Sequence, residues 1–473
     1  VIADDMLEVS CPSLTPYIVL KNSGHVDRFT DVLVKDVKTQ DPFRADHLLE
    51  EYIAKTLADP KANAELKKEL EKIRPKVEEM KVPEFREVFK KFNIKSPETG
   101  NDLSEAEDFN LMFKTQIGPW ADAQAFLRPE TAQSLITNFK RLYDFNYGKL
   151  PFAAANIGLG FRNEISPRQG LIRVREFEMG EIEHFVDPLD KSHPKYNQVV
   201  DVEVTFFPAK EQLAGEQPRK LKISDALNTK VVTNETMAYF IARVYQYMKL
   251  VGIKEECVRF RQHKPKEMAH YASDCWDCEL LTSYGWVESV GIADRSAYDL
   301  ECHSKGIKRP IVASRPLDKP REENQVKIVL NKGDLAKIHK KETALIIDHF
   351  ENMSNEDKTS FKTLIEEGKE YKFTEAEKEF TIKKSDVTEF KVTKVNVIEE
   401  KFVPGIIEPA FGFGRILFAL LEQNFHVRDE KRTMFLLPAN ISPIKCSILP
   451  LMAKDELLQF VSKLGNSYSN SRD

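Results

Sequence analysis

Three consecutive segments constrain this chain more than any others. They are Phe161-Arg162-Asn163-Glu164, then Ser166-Pro167-Arg168-Gln169-Gly170, then Ile172-Arg173-Val174-Arg175-Glu176-Phe177-Glu178-Met179-Gly180-Glu181. Two strand-like runs flank a segment of turn residues, so the text reads as an antiparallel hairpin. Strand side chains alternate between faces, which puts Arg162 with Glu164. On the return strand Arg173, Arg175, Phe177, Met179, Glu181 and Glu183 fall together. A face mixing cations, carboxylates and an aromatic is a poor core surface, because buried charges must be paired. One reading is a ladder of ion pairs across the hairpin. The other is a ligand site, with arginines on phosphate, Phe177 stacked on a base and carboxylates on an amine.

Two further constellations fit such a site. Arg128-Pro129-Glu130-Thr131 precedes an apolar stripe of Leu135, Ile136, Phe139, Leu142 and Tyr143, spaced as one face of a helix that stops at Gly148. Pro129 fixes the backbone, and Thr131 or Glu130 can cap the helix. Glu408-Pro409-Ala410-Phe411-Gly412-Phe413-Gly414-Arg415 reads as a strand ending at Glu408, a glycine-rich turn and a helix with Arg415 in its first turn. Tight strand–helix packing explains the glycines, but a cation at the positive end of a helix is disfavoured unless an anion arrives. Cys275-Trp276-Asp277-Cys278 and Cys302-His303 offer one clean Cys pair instead of two, so no zinc site is expected and buried free thiols are the default.

At 473 residues the chain is too long for one core, and no apolar run nears the ~18–20 residues that span a bilayer. Its 70 Lys and Arg against 75 Asp and Glu leave a net charge of −5, which removes the easy argument for nucleic-acid binding without excluding local basic patches. Six cysteines do not make a disulfide framework, so a cytoplasmic, reducing compartment is the natural setting. The absence of an initiator Met and the polar last residues suggest an internal piece of a longer protein. Residues 46–95 have solvated helical spacing, 235–250 form a second helical block, and Phe380, Ile382, Val387, Phe390 and Val392 alternate as in a small appended sheet.

Phe161-Arg162-Asn163-Glu164 with Arg175-Glu176-Phe177 resembles motif 2 of class II aminoacyl-tRNA synthetases, and Gly412-Phe413-Gly414-Arg415 resembles motif 3. The strings Arg128 to Gln133, Arg261-Gln262-His263, Glu267 to Ala272, Asp274 to Asp277 and Ala293-Asp294-Arg295 are similar to the eukaryotic and archaeal glycyl-tRNA synthetases, and the likeness runs from Met6 to about Pro450. The resemblance implies an α+β fold: an antiparallel β-sheet core flanked by helices, with helical and mixed α/β insertions and a largely missing C-terminal α/β anticodon domain. Catalytic core is expected over 1–45 (after motif 1), 106–190, 261–307 and 401–440. Insertions are expected over 46–105, 191–260 and 308–400, and the start of an anticodon domain over 441–473.

The implied activity is ATP-dependent activation of glycine to glycyl-adenylate and its transfer to the 3′ end of tRNA(Gly). The parent protein would be a homodimer, cytoplasmic or in a mitochondrial form, with no membrane association. By the resemblance Arg162, Glu164 and Arg415 are the catalytic group, with Arg162 on the α-phosphate and Arg415 on the γ-phosphate. ATP would further meet Asn163, Ile172, Arg173, Val174, Arg175, Glu176, Phe177 under adenine, Glu288, Ser289, Gly412, Phe413 and Gly414, with Glu288 holding Mg²⁺ through ATP. Glycine would meet Glu130, Phe177, Glu178, Met179, Gly180, Glu181, Glu408, Pro409, Ala410, Phe411 and Gly412, with Glu130, Glu181 and Glu408 around the ammonium. The loop at Arg168 and the insertions offer acceptor-stem contacts.

Three positions depart from the family pattern: Ala410 stands where a Ser is usual, Ser134 replaces a Gly and Gly180 replaces an Ala. By the resemblance all three surround the amino-acid site while the ATP arginines stay intact, so ATP binding is expected to be kept and glycine binding weakened. The alternative reading is a synthetase-derived, catalytically impaired paralogue acting as a nucleic-acid-binding or regulatory protein. Retention of Arg162, Glu164, Glu288 and Arg415 favours the enzyme.

Overall fold

Short runs of alternating apolar and polar residues assemble into one mixed sheet of nine strands, labelled here in chain order. They are β1 (Leu7–Glu8), β2 (Phe152–Phe161), β3 (Glu176–Val186), β4 (Glu203–Phe207), β5 (Arg219–Lys222), β6 (Val258–Gln262), β7 (Asp274–Thr282), β8 (Gly285–Ser296) and β9 (Gly405–Gly412). Their spatial order is β1-β2-β3-β9-β8-β7-β6-β4-β5. From β2 across to β6 every pair is antiparallel, while β1 joins β2 and β4 joins β6 in parallel. The computed structural model describes residues 5–167, 169–375, 378–452 and 454–469, with side chains left out at 78, 79 and 465–469. Arg168, in the hairpin loop, lies outside the described residues.

One face of the sheet is closed by the helix Glu235–Val251. Its Met237, Phe240, Ile241, Val244 and Met248 are buried with Phe206, Phe260, Trp276, Cys278, Val290 and Ile292. Ile416, Ala419 and Leu420 of the helix Phe413–Asn424 join the same core. Truncating any of these aromatics to Ala would cost about 3–5 kcal/mol. On the opposite face, at one end, Leu135, Ile136 and Phe139 meet Phe152, Phe185 and Ile406. Farther along that face charged residues gather around a cleft, many of them buried.

The apolar stripe after Thr131 is carried by two helices, Ala132–Ile136 and Phe139–Phe145, instead of the single one its spacing suggests. At the break the Thr137 hydroxyl donates to the Gln133 carbonyl (2.7 Å) and the Asn138 amide to that of Ser134 (2.8 Å). These side chains compete with the backbone for helical acceptors. The stripe survives, because Leu135, Ile136, Phe139 and Tyr143 remain buried across the break.

Two other parts have cores of their own. Val34, Leu49, Ile53, Leu70, Phe85 and Phe89 are buried together within residues 34–106, on the helices Ala45–Ala58, Ala64–Ile73 and Val82–Phe92 and a neighbouring strand. Beyond β8, a long ribbon of Ala313–Leu330 with Val387–Phe402 carries a unit centred on Leu335, Ile346, Phe350, Phe361, Phe380 and Ile382. Among the described residues no helix is long and apolar enough to cross a membrane.

Candidate active site

The face of the sheet opposite the helix Glu235–Val251 holds a cleft of about 1070 Å³, continuous with solvent. β3 supplies Phe177, Met179 and Glu181 at alternate positions. Arg162 and Glu164 lie beyond the last residue of β2, and Arg173 and Arg175 lie before β3 begins. Strand alternation therefore does not place these four; the hairpin loop does. Arg162 reaches the cleft by donating from Nε to the Pro129 carbonyl (3.3 Å), with its guanidinium 5.3 Å from the rings of both Phe177 and Phe29. Arg173 comes within 3.8 Å of the Glu164 carboxylate. Phe177 owes its position to a missing side chain: a Cβ on Gly160, opposite it across the hairpin, would sit 2.7 Å from the ring.

Glu288 is brought to the cleft by a β-bulge. Strict alternation along β8 would put it with Val290 and Ile292, which are core residues. The register between β7 and β8 slips there, pairing Glu279 with Glu288 but Cys278 with Val290, and Ser289 is the extra residue. The slip turns Glu288 to the side of Asp277 and Glu279. Its side chain is 55 % exposed, into the cleft. Although burial by the walls opposes ionisation, Arg415, His263 and Arg162 hold its carboxyl below the usual range.

β9 runs through to Gly412, four residues past the Glu408 boundary read from sequence, and the helix starts at Phe413. The cation at that helix start is held by acceptors. Arg415 donates to the carbonyls of Glu288 (2.7 Å) and Ile172 (3.1 Å) and lies 3.5 Å from the Glu288 carboxylate.

At the far end three carboxylates converge. Glu130, Glu181 and Glu408 are all buried, as is Arg295, which is fully enclosed. Arg295 pairs with Asp299 (2.7 Å) and Glu408 (2.9 Å), comes within 3.7 Å of Glu130, and lies 3.7 Å from the centre of the Tyr271 ring. His25 adds a contact to Glu130 at 3.2 Å. Thr131 stands at the N-cap of the helix Ala132–Ile136, but its side chain makes no capping hydrogen bond. Its N–H and hydroxyl both donate to the same Glu181 oxygen (2.6 and 2.7 Å).

These surroundings push the acids apart. Burial raises Glu130, but His25 and Arg295 overcome it and hold this carboxyl well below the usual range. Burial and the charges of Glu408 and Glu130 push Glu181 up to about 8. Burial likewise raises Glu408, and lifts Glu183, whose two carboxyl oxygens are buried without a hydrogen bond, further still. A site with one ionised carboxylate and neighbours poised to ionise suits a small cation such as an ammonium.

The cleft is lined by Arg162, Glu164, Ile172, Arg173, Val174, Phe177, Glu288, Ser289, Gly414 and Arg415, and by Glu130, Glu178, Met179, Glu181, Glu408, Ala410, Phe411 and Gly412. Asn163, Arg175, Glu176, Gly180, Pro409 and Phe413 do not line it. The backbone N–H of Asn163 bonds the Leu111 carbonyl, and Arg175 is exposed and turned onto the Glu164 carbonyl. The three departures from the family pattern do not surround the site. Ala410 does line it, paired across strands with Glu181. Ser134 lies in a helix without the left-handed backbone that would demand glycine. A Cβ on Gly180 would meet the Phe413 ring at 2.9 Å. Of the three positions expected around the amino-acid site, the cleft is lined by Ala410 and not by Ser134 or Gly180.

Arg295, Tyr271, His263 and Asp277 are cleft-side residues that had no assigned part. Asp294-Arg295, a charged pair inside an apolar strand, was the signal for the first. Cys278 points into the main core while Cys275 lines the cleft, so this pair shares no ligand.

The family described as tRNA synthetase class II core domain (G, H, P, S and T) matches residues 113–424. A glycine–tRNA ligase of Drosophila melanogaster is 48 % identical over 470 residues, 99 % of this chain and 61 % of that protein. The mitochondrial glycine–tRNA ligase 1 of Saccharomyces cerevisiae is 42 % identical over 510 residues, covering 100 % and 74 %. The glycine–tRNA ligase of Methanocaldococcus jannaschii is 40 % identical over 472 residues, covering 98 % and 78 %. The chain thus spans about three-fifths of the length of its animal relative.

Proposed function

The chain belongs to the glycine–tRNA ligase family of class II aminoacyl-tRNA synthetases, and from that membership we propose that it activates glycine with ATP and passes it to the 3′ end of tRNA(Gly). The observation that carries the reading is the grouping of charge in a single cleft. Arg415 stands beside Glu288 and Arg173 beside Glu164, and Arg162 lies on the Pro129 carbonyl with Phe29 and Phe177. Glu130, Glu181 and Glu408 gather around Arg295, where carboxylates outnumber the guanidinium. An adenylate suits that grouping, with an anionic phosphate joined to a cationic amine.

In this reaction the glycine carboxylate attacks the α-phosphorus of ATP and pyrophosphate leaves, so no protein nucleophile is needed. Rate comes from positioning and from charge placed where it develops. Arg162 would take the α-phosphate with its face against Phe177, which stacks under adenine. Arg415, fixed by two carbonyls, would meet the γ-phosphate. The open, ionised carboxylate of Glu288 suits a hard cation, and Mg²⁺ held there would neutralise charge on the phosphates. Glu130, Glu181 and Glu408 would hold the ammonium while Arg295 keeps Glu408 and Glu130 in place. Glycine offers no side chain to grip, so selection would rest on reading the amine and on excluding a Cβ, and Tyr271 is among the residues that line the cleft.

The whole enzyme would act as a homodimer in a reducing compartment, which the six free cysteines suit. Calorimetric titration with a non-hydrolysable glycyl-adenylate analogue tests the site. Tight binding of the glycyl compound is expected, with the alanyl compound weaker by about tenfold or more. Equal binding of the two, or binding of neither, would remove the reading.

A further inference from the structure

The floor of the cleft holds three side chains that are not assigned above to glycine, ATP or magnesium. His263, Cys275 and Asp277 each present one atom of metal-ligand type, and the three atoms lie within 4.8 Å of one another. The ladder explains the grouping. Cys275 and Asp277 are two apart on β7 and share its cleft face. The backbone N–H of His263 donates to the Cys275 carbonyl (2.9 Å), which extends the β6–β7 ladder one residue past the end of β6 and sets the imidazole beside the thiol.

The surroundings favour a cation. Asp277 accepts from His263 Nε2 (2.8 Å) and from Arg261 (3.1 Å), while His263 Nδ1 is buried with no partner. Burial and the charges of Asp277, Glu288, Glu408 and Asp274 raise the Cys275 thiol well above its usual range. Burial and Glu288 together push Asp277 up to about 6. Glu288, Glu408 and Asp274 thus stand around a nitrogen–sulfur–oxygen donor set whose Asp277 also carries the Arg261 guanidinium.

We propose that His263, Cys275 and Asp277 form a binding site for one thiophilic divalent cation of the zinc class, with its fourth position open to the cleft. The donor set selects the metal: a thiolate and an imidazole suit zinc or cobalt, whereas magnesium and calcium prefer oxygen alone. Three protein ligands with an open position is the pattern of accessible zinc sites. On binding, the Cys275 thiol gives its proton to solvent, the proton on His263 Nε2 passes to the unpartnered Nδ1, and the His263–Asp277 hydrogen bond yields to two metal bonds. Arg261 stays on Asp277 as an outer partner, itself held by Glu267 (2.6 Å) and Glu279 (3.0 Å). Cys278 takes no part, because it packs in the core behind the sheet.

Cobalt(II) is the probe, titrated into the reduced full chain and followed by absorption. One equivalent is expected to give a thiolate-to-cobalt charge-transfer band and the visible bands of a tetrahedral ion, both bleached by zinc. Cys275→Ser abolishes the charge-transfer band and Cys278→Ser leaves it. His263→Gln keeps the band but weakens cobalt binding by about tenfold or more. Circular dichroism checks each variant for folding, and His263→Gln decides the matter if Cys275→Ser does not fold. No band with the unmodified chain, a band that survives Cys275→Ser, or unchanged affinity in His263→Gln would overturn the site.

Discussion

Glu181 is the residue on which the account leans hardest at the smallest scale. In the free protein burial and its acidic neighbours push it up to about 8, so near pH 7 it carries a proton. An ammonium beside it favours the ionised form, so glycine binding must expel that proton. Glycine affinity is therefore expected to rise with pH up to about 8 and then level off. Calorimetry at pH 7 in buffers of different ionisation enthalpy should find proton release, and its absence would count against the assignment. The linkage to stability has the opposite sign. The folded state keeps a proton that the unfolded state loses above the ordinary carboxylate range, so this group's contribution falls as pH rises from there to about 8. Glu181→Gln, whose amide oxygen can still accept from Thr131, should stabilise the fold at pH 8 by about 1–2 kcal/mol in thermal unfolding. It should lose glycine binding at the same time. Ala410 sits opposite Glu181, where the family pattern has a hydroxyl. Ala410→Ser should tighten glycine binding by about five- to tenfold, the worth of one hydrogen bond, and leave ATP affinity unchanged in parallel titrations.

At the scale of elements, hairpin, strand and helix were legible where the period was clean. Phe177, Met179 and Glu181 fell on one face as alternation requires, and the apolar stripe from Leu135 to Tyr143 is buried as spaced. What did not follow from period were the places where the ladder breaks. Glu288 reaches the cleft only because Ser289 bulges, and no local residue signals that slip. Arg162 and Glu164 lie past the strand end, so their placement depends on tertiary contacts with Pro129 and Arg173. The break at Thr137-Asn138 follows from side chains capturing carbonyls, which apolar spacing cannot reveal. Gly180 gives an element-level test. It leaves space for Phe413, at the start of the motif 3 helix, so Gly180→Ala should press on that ring and cost about 1–3 kcal/mol in denaturant unfolding. The companion change Phe413→Leu should restore most of the loss.

On the scale of the whole molecule, a net charge of −5 concealed the site, because it sums lysine- and glutamate-rich outer units with a cleft lined by both arginines and carboxylates. The outer units carry their own cores, centred on Leu49 and Phe85 in one and Ile346 and Phe361 in the other. Surface charge made residues 46–95 read as solvated helices, since a core formed between three short helices leaves only a few apolar positions on each. Arg295, quoted in the resemblance, had no role read from sequence for a related reason: its partners Glu130 and Glu408 lie far from it along the chain, and only the folded sheet brings them together. All these features serve one claim, that the cleft joins glycine to ATP. The direct measurement is ATP–pyrophosphate exchange by this chain, with glycine and with alanine, serine or proline in its place. The account predicts exchange that depends on glycine and is lost in Arg162→Ala and Arg415→Ala. Exchange absent with glycine while ATP still binds, or equally fast with another amino acid, would contradict it.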